Sequence, residues 1–295
     1  MLGGMVSAVG GAARMGGAAI GDVGSFLRGG SPDPLDARDP DYIRDTLPAL
    51  RTFSTGYFRG EVEGLENVPA EGPALLVGNH SGGVVIADTF VFAQAFYDHW
   101  GPERLFHQLA HDLVFKVPGM RAWATRYGTV PASRENAGRA LDRGAAVLVY
   151  PGGDYETFRP SWEGDRVDFD RRSGFVKQAL EHGAPIVPVV AIGGQETALF
   201  LGRGTRVARA LQLDKLARLK VVPASIGPPF GLNVLDLPGR LPLPAKIKIK
   251  VLAPIDVGAE LGAKPDPDDG YDLVVGRMQT ALDELSEERT LPIVG

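Results

Sequence analysis

Leu76-Val77-Gly78-Asn79-His80-Ser81-Gly82-Gly83-Val84-Val85-Ile86-Ala87-Asp88 is the stretch around which the chain is organised. The apolar run Ala74 to Val77 predicts a short buried strand. It stops at Asn79-His80, and Ser81-Gly82-Gly83 predicts a turn in which glycine supplies backbone freedom. From about Val84 to Trp100 the sequence is nearly all apolar and long enough for a buried helix. Asp88 lies inside that stretch, where a carboxylate is costly to bury without a partner. His80 is the nearest partner, at a strand end where α/β proteins usually place their chemistry. A histidine held by a carboxylate is equipped as a general base. The same pair also suits a loop histidine beside a helix cap, so the rest of the chain decides.

Working outward, Ser31 to Pro40 reads as a linker and Asp41 to Thr52 as a helix, with Tyr42, Leu47, Leu50 and Phe53 near helical spacing. Tyr57 to Glu63 alternates like a strand. Leu105 to Lys116 carries His107 and His111 four apart, the spacing of two ligands on one helical face. Gln108 follows His107 where a metalloprotease needs glutamate, and no third ligand is evident, so the pair is read as surface or packing histidines. Tyr127 to Arg134 predicts a strand leaving a glycine and ending on an arginine, Glu135 to Arg143 a helix closed by Gly144, and Ala145 to Tyr150 a strand covered on both faces. Gly174 to His182 predicts a further helix and Ala184 to Ala191 a further buried strand. Strands alternating with helices predict an α/β fold: one domain over residues 31–295, with a largely parallel central sheet flanked by helices.

Leu199 to Lys220 differs. Arg203, Arg206, Arg209, Lys215, Arg218 and Lys220 interleave with Leu201, Val207, Leu211, Leu213, Leu216 and Leu219. That pattern predicts a basic amphipathic helix suited to a membrane surface, and equally an ordinary surface helix. Ala245 to Leu252 alternates lysine with isoleucine, as a sheet edge does. Tyr271, Val274, Val275, Met278, Leu282 and Leu285 give a last helix one apolar stripe.

Composition narrows the function classes. A net charge of -5 argues against a general nucleic-acid binder. The absence of cysteine excludes disulfides, thiolate metal sites and cysteine nucleophiles. Arginine heavily outnumbers lysine and Ala, Gly and Val abound, which suggests a GC-rich bacterial genome. The sequence has no run of about 18 uncharged apolar residues, so no membrane span is expected. Residues 1–30 are rich in Gly and Ala without the pattern of a signal peptide, and read as a floppy or membrane-brushing tail.

Asn79-His80-Ser81-Gly82-Gly83 nearly matches the nucleophile elbow of serine hydrolases but lacks its first glycine. His99, His107, His111 and His182 offer no recognisable triad partner downstream, so a hydrolase using Ser81 stays a minor reading. No phosphate-loop pattern occurs.

The order of blocks is more telling. Asn79-His80 with the later Asp88, then Gly128 to Arg134, then Tyr150-Pro151-Gly152-Gly153, then Ile186-Val187-Pro188-Val189 resembles the phospholipid/glycerol acyltransferase family. The resemblance spans roughly Tyr57 to Pro254. It implies the fold of glycerol-phosphate acyltransferases, His80 as catalytic base, Asp88 as its orienting carboxylate and Arg134 as an acceptor-binding residue. Two departures bear on the acceptor. Seven residues separate His80 from Asp88 where the family has four, and Gly152 stands where the family's third block, F-P-E-G-[ST]-R, carries glutamate. Pro151-Gly152-Gly153 with Glu156 and Arg159, and Arg171 to Lys177, resemble the diacylglycerol-acyltransferase-like branch. Gly152, Gly153, Glu156 and Arg159 thereby join Arg134 as candidate substrate-binding residues.

The implied reaction moves a fatty acyl group from acyl-CoA or acyl carrier protein, as co-substrate, to a hydroxyl of a glycerolipid acceptor such as lysophosphatidate or a mono- or diacylglycerol. It requires no cofactor, no metal and no covalent enzyme intermediate. The implied setting is cytoplasmic and peripheral, on the inner face of the membrane. A non-catalytic lipid-binding module on the same fold is the alternative that the altered motifs favour.

Overall fold

The computed structural model describes residues 33–289 apart from 84–85, 117–119, 164, 213–220, 230, 235–240 and 263. In chain order its elements are α1 (Pro40–Arg51), β1 (Glu61–Glu63), β2 (Ala74–Gly78), α2 (Ala87–Trp100), β3 (Phe106–Ala110), α3 (Met120–Arg126), β4 (Thr129–Pro131) and α4 (Arg134–Asp142). They continue with β5 (Ala146–Val149), α5 (Gly153–Thr157), α6 (Gly174–Glu181), β6 (Ile186–Ile192), β7 (Leu199–Gly202) and α7 (Thr205–Ala210). The last are β8 (Ala224–Gly227), β9 (Gly231–Val234), β10 (Lys248–Val251), α8 (Val257–Leu261) and α9 (Pro267–Glu287).

Seven strands form one sheet in the order β1-β10-β6-β2-β5-β3-β4. The five from β6 to β4 run parallel; β10 pairs antiparallel to β6 and carries β1 with it. Period-two alternation sends successive side chains to opposite faces. Leu75, Val77, Val147, Ile186 and Val190 pack with α4, α6 and α9 on one side. Leu76, Leu148, Val187 and Val189 pack with α1 and α2 on the other. Each fully buried leucine contributes roughly 2 kcal/mol, so the central strands can be apolar throughout. Local signals agree with this packing. Asp39 caps α1 by accepting the Tyr42 N–H at 2.9 Å, with Pro40 at the first helical position. Ser133 caps α4 through the Asn136 N–H at 3.0 Å.

The expected α/β domain with its largely parallel sheet is the one observed, and four local expectations are corrected. Leu105–Lys116 is not a helix: β3 lies between β5 and β4, and only Asp112–Lys116 turns, as a 3-10 helix. Tyr57–Glu63 contributes just the three residues of β1, because α1 runs on into a π-helical segment, Thr52–Tyr57. The predicted Leu199–Lys220 helix begins as strand β7 of a separate antiparallel sheet, β7-β8-β9, followed by short α7. Its part from Leu213 lies outside the described residues, as does the reading of residues 1–30 as a tail. Strand β10 is not an edge, since β1 pairs outside it. Its lysines alternate outward because α9 and the residue after it supply carboxylates, with Lys250 Nζ 2.9 Å from Glu284 and Lys248 Nζ 3.7 Å from Glu288.

Candidate active site

Parallel strands bring their C-terminal ends to one edge of the sheet, where α/β folds bind ligands. His80 follows β2, Pro151-Gly152-Gly153 follows β5, and Arg134 follows β4. All the residues singled out from the sequence therefore belong to this edge or to the segments that leave it.

Strand β2 ends on Gly78, where a Cβ would stand 2.5 Å from Cε1 of Tyr150, so only glycine admits the tyrosine ring. The Asn79 side chain donates to the Ala191 carbonyl at 2.8 Å and accepts the Ala191 N–H at 2.7 Å. It extends the β2–β6 ladder by one residue with side-chain atoms. The His80 N–H donates to Glu156 Oε2 at 2.9 Å. The His80 imidazole stacks on Tyr150, with centroids 4.2 Å apart and planes 20° apart.

His80 Nδ1 stands 3.2 Å from Asp88 Oδ2. A carboxylate only accepts, so Nδ1 carries the proton and Nε2 keeps its lone pair. Asp88 is 1% exposed. Its Oδ2 also accepts the Ser81 N–H at 3.2 Å, and its Oδ1 accepts the Thr89 N–H at 2.7 Å. Its place in the first turn of α2 adds the favourable end of the helix dipole. The Thr89 hydroxyl donates to the Tyr150 phenol oxygen at 2.9 Å, closing a ring of contacts around the His–Asp pair. Burial, and next the Asp88 charge, push the Tyr150 phenol well above its usual range, so it stays neutral. The longer connection between His80 and Asp88 leaves their contact intact.

Glu156 is wholly buried behind His80. Its Oε2 holds the His80 N–H and its Oε1 accepts the Asp168 N–H at 3.2 Å. Burial lifts its pKa from 4.5 to about 8, against the opposing pull of the Arg159 guanidinium. Gly152 makes the room: a Cβ there would lie 2.6 Å from both Cβ and Oε2 of Glu156. Arg172 fastens the turn by donating to the Pro151 and Gly152 carbonyls at 3.2 and 2.9 Å, with Asp154 at 3.3 Å. Gly153, at φ +48°, donates its N–H to the Tyr150 carbonyl at 3.1 Å. Arg159 is 3% exposed, with Nη1 donating to the Arg166 carbonyl.

His80, Asp88, Gly152 and Glu156 are thus brought into one cluster with Gly153 and Arg159 beside it. Arg134 is exposed at the first turn of α4, near Gly174, where a Cβ would stand 3.6 Å from its Nη2. It lies three strand positions from β2, about 14 Å at the usual spacing. Sequence reasoning missed Asn79, Thr89, Tyr150, Asp168 and Arg172 as members of the cluster. Only Tyr150, an aromatic just before the Pro-Gly-Gly turn, carried a signal. Ser81 uses its N–H on Asp88, and its hydroxyl oxygen would be 2.3 Å from a Cβ at Gly194. His107 makes its bond at Nδ1 to the Gly128 carbonyl, 3.0 Å away, inside the core, and burial lowers its pKa to about 4.

The Acyltransferase family model matches residues 59–192, which contain this entire cluster. An uncharacterized protein of Mycobacterium tuberculosis is 35% identical over 210 residues, 70% of this chain and 55% of its own length. The Bos taurus protein named "DGAT1/2-independent enzyme synthesizing storage lipids" is 31% identical over 172 residues, 58% of this chain and 50% of its own length. The chain therefore spans about half the length of the curated relatives it matches. In fold it is similar to the 1-acyl-sn-glycerophosphate (LPA) acyltransferase PlsC of Thermotoga maritima. That match has a TM-score of 0.54 at 17% identity, and covers 98% of this chain and 99% of that one.

Proposed function

We propose that this chain, whose residues 59–192 match the Acyltransferase family model, moves a fatty acyl group from an acyl thioester to a glycerolipid hydroxyl, with His80 as general base. The observation that carries this is the 3.2 Å contact of His80 Nδ1 with buried Asp88, which leaves the lone pair on Nε2 to accept a proton. Nε2 takes the proton of the acceptor hydroxyl as its oxygen attacks the thioester carbonyl. Asp88 stabilises the imidazolium that forms, and Tyr150 fixes the ring plane. Collapse of the tetrahedral intermediate breaks the C–S bond, and the imidazolium returns its proton to the departing thiolate. The products are an ester and a free thiol, and no group is left on the enzyme.

The oxyanion needs a donor that protein carbonyls have not already taken. Gly83 gives its N–H to the Thr157 carbonyl and Gly153 gives its own to Tyr150. The Gly152 N–H has no such partner among the described residues, and we assign it the oxyanion. Glu156 then positions the His80 backbone rather than touching substrate. Of the two candidate arginines, Arg134 is exposed and suited to an acceptor phosphate, whereas Arg159 is enclosed. Acyl-CoA and acyl carrier protein both meet the donor requirement, and lysophosphatidate and mono- or diacylglycerol the acceptor requirement. No described helix is long and apolar enough to cross a membrane; a peripheral position on the inner face of the membrane is part of the proposal.

The test is thiol release from palmitoyl-CoA with lysophosphatidate, monoacylglycerol or diacylglycerol, using wild type, His80→Ala and Ser81→Ala. Acceptor-dependent release that disappears in His80→Ala and persists in Ser81→Ala is expected. Acceptor-independent release lost only in Ser81→Ala would replace this reading with a hydrolase. Absence of release from folded wild type would leave a lipid-binding module.

A further inference from the structure

The antiparallel sheet β7-β8-β9 has one buried and one bare face. Phe200, Ser225 and Asn233 pair across it and point inward, with Phe200 against Phe158. One residue along, Leu199, Ile226 and Leu232 form a row across all three strands on the outer face. They are 47%, 42% and 62% exposed, and Leu201 and Val234 extend the row at 36% and 52%. A contiguous apolar face of this kind marks an interaction surface. The charge around it points to the partner. The described residues of 197–234 include Arg203, Arg206 and Arg209 and no Asp or Glu, in a chain of net charge -5. Arg206 and Arg209 are exposed on α7, directly after β7, with no acidic partner among the described residues.

We propose that the outer face of β7-β8-β9, with Arg206 and Arg209, docks on an anionic phospholipid surface. Apolar insertion and attraction to headgroup phosphates add in such a contact. The sheet is fixed to the catalytic edge. Gly194 and Thr197, just before β7, pack on Gly82. The Phe200 N–H donates to Ser161 Oγ at 2.9 Å, and Arg203 Nε donates to the Tyr155 carbonyl at 2.7 Å, beside Glu156. Docking here would bring a membrane-borne acceptor to His80, a consequence that rests on the acyltransferase reading; the docking itself does not.

The experiment is flotation of the full chain with phosphatidylcholine vesicles, with and without phosphatidylglycerol. Wild type should float with the phosphatidylglycerol vesicles. Leu199→Glu/Leu232→Glu should lower the bound-to-free ratio about tenfold or more. Arg206→Gln/Arg209→Gln should remove the phosphatidylglycerol-dependent gain by about fivefold per charge. These side chains are exposed, so unfolding temperatures should match wild type and certify the fold. Turnover of a short-chain, water-soluble acceptor should be unchanged in both variants. If flotation behaves as stated while no variant, wild type included, turns over any acceptor, the catalytic reading fails and the docking surface stands. Wild type that does not float, or a leucine variant that floats equally well, overturns the proposal. So does a wild-type dimer that Leu199→Glu/Leu232→Glu converts to monomer without altering flotation, which would assign the face to a second copy of the chain.

Discussion

Replacing Glu156 by glutamine tests the cluster through stability rather than turnover. The buried carboxyl titrates at about 8 in the folded protein against 4.5 for an ordinary glutamate. A carboxyl with a raised folded pKa holds its proton more tightly when folded. Its stabilising contribution is complete at low pH and is lost as pH climbs through the folded value. Between pH 7 and pH 9 that loss is on the order of 1 kcal/mol, and between pH 6 and pH 9 on the order of 3 kcal/mol. His107, held down at about 4, acts oppositely, its burial penalising the folded state only below its unfolded value of 6.5. It is nearly silent above pH 7, which makes pH 7 to 9 the clean window. Glu156→Gln has no proton to lose and should show no such drop. It offers one oxygen to the two N–H groups of His80 and Asp168, and stranding one of them should cost about 1–3 kcal/mol at pH 7. Urea unfolding followed by tryptophan fluorescence at pH 7 and pH 9, on both proteins, measures each quantity. A wild type no less stable at pH 9, or a glutamine variant with the same decline, would refute the assignment of a buried, protonated carboxyl at 156.

The His–Asp pair makes its own prediction. Asp88→Asn presents an amide that can donate to Nδ1 and so favours the wrong tautomer, and turnover should fall about 10²- to 10⁴-fold with little change in acceptor KM. Tyr150→Phe keeps the ring on His80 and loses only the acceptor for Thr89, so it should cost less than about tenfold in kcat, whereas Tyr150→Leu removes the stacked face and should cost more. Arg134→Gln should raise KM about tenfold for lysophosphatidate and leave diacylglycerol unchanged; steady-state thiol release reads all three.

Legibility followed the physics of each segment. β2, β5 and β6 stood out because a parallel strand covered on both faces is apolar at every position. β3 did not, because it buries polar groups: His107 and Gln108 lie in mid-sheet, and the long-range bond of His107 to Gly128 makes the burial of that histidine tolerable. β7 was hidden for another reason. Leu199, Phe200 and Leu201 are all apolar although only Phe200 is buried, so the period of two that marks a half-exposed strand is absent. His80 and Asp88 were legible from the cost of placing a carboxylate in an apolar helix. Asn79 was not, because its partner Ala191 is distant along the chain and no local pattern announces that contact, and the place of Tyr150 before the Pro-Gly-Gly turn marked the residue without announcing its stacking on His80.

The Pro-Gly-Gly turn shows how one site can tolerate an apparently missing group. At position 152 the family pattern has glutamate and this chain has none, which from sequence alone weighs against catalysis. The fold places the Glu156 carboxyl 2.6 Å from where a Cβ on residue 152 would be, so the two positions compete for one volume. A side chain at 152 would expel Glu156 and strip the His80 N–H of its acceptor. Glycine at 152 and glutamate one helical turn later are therefore a matched pair, and each makes sense only with the other. The departure that first counted against catalysis is, in the folded chain, the arrangement that holds the His80 backbone N–H.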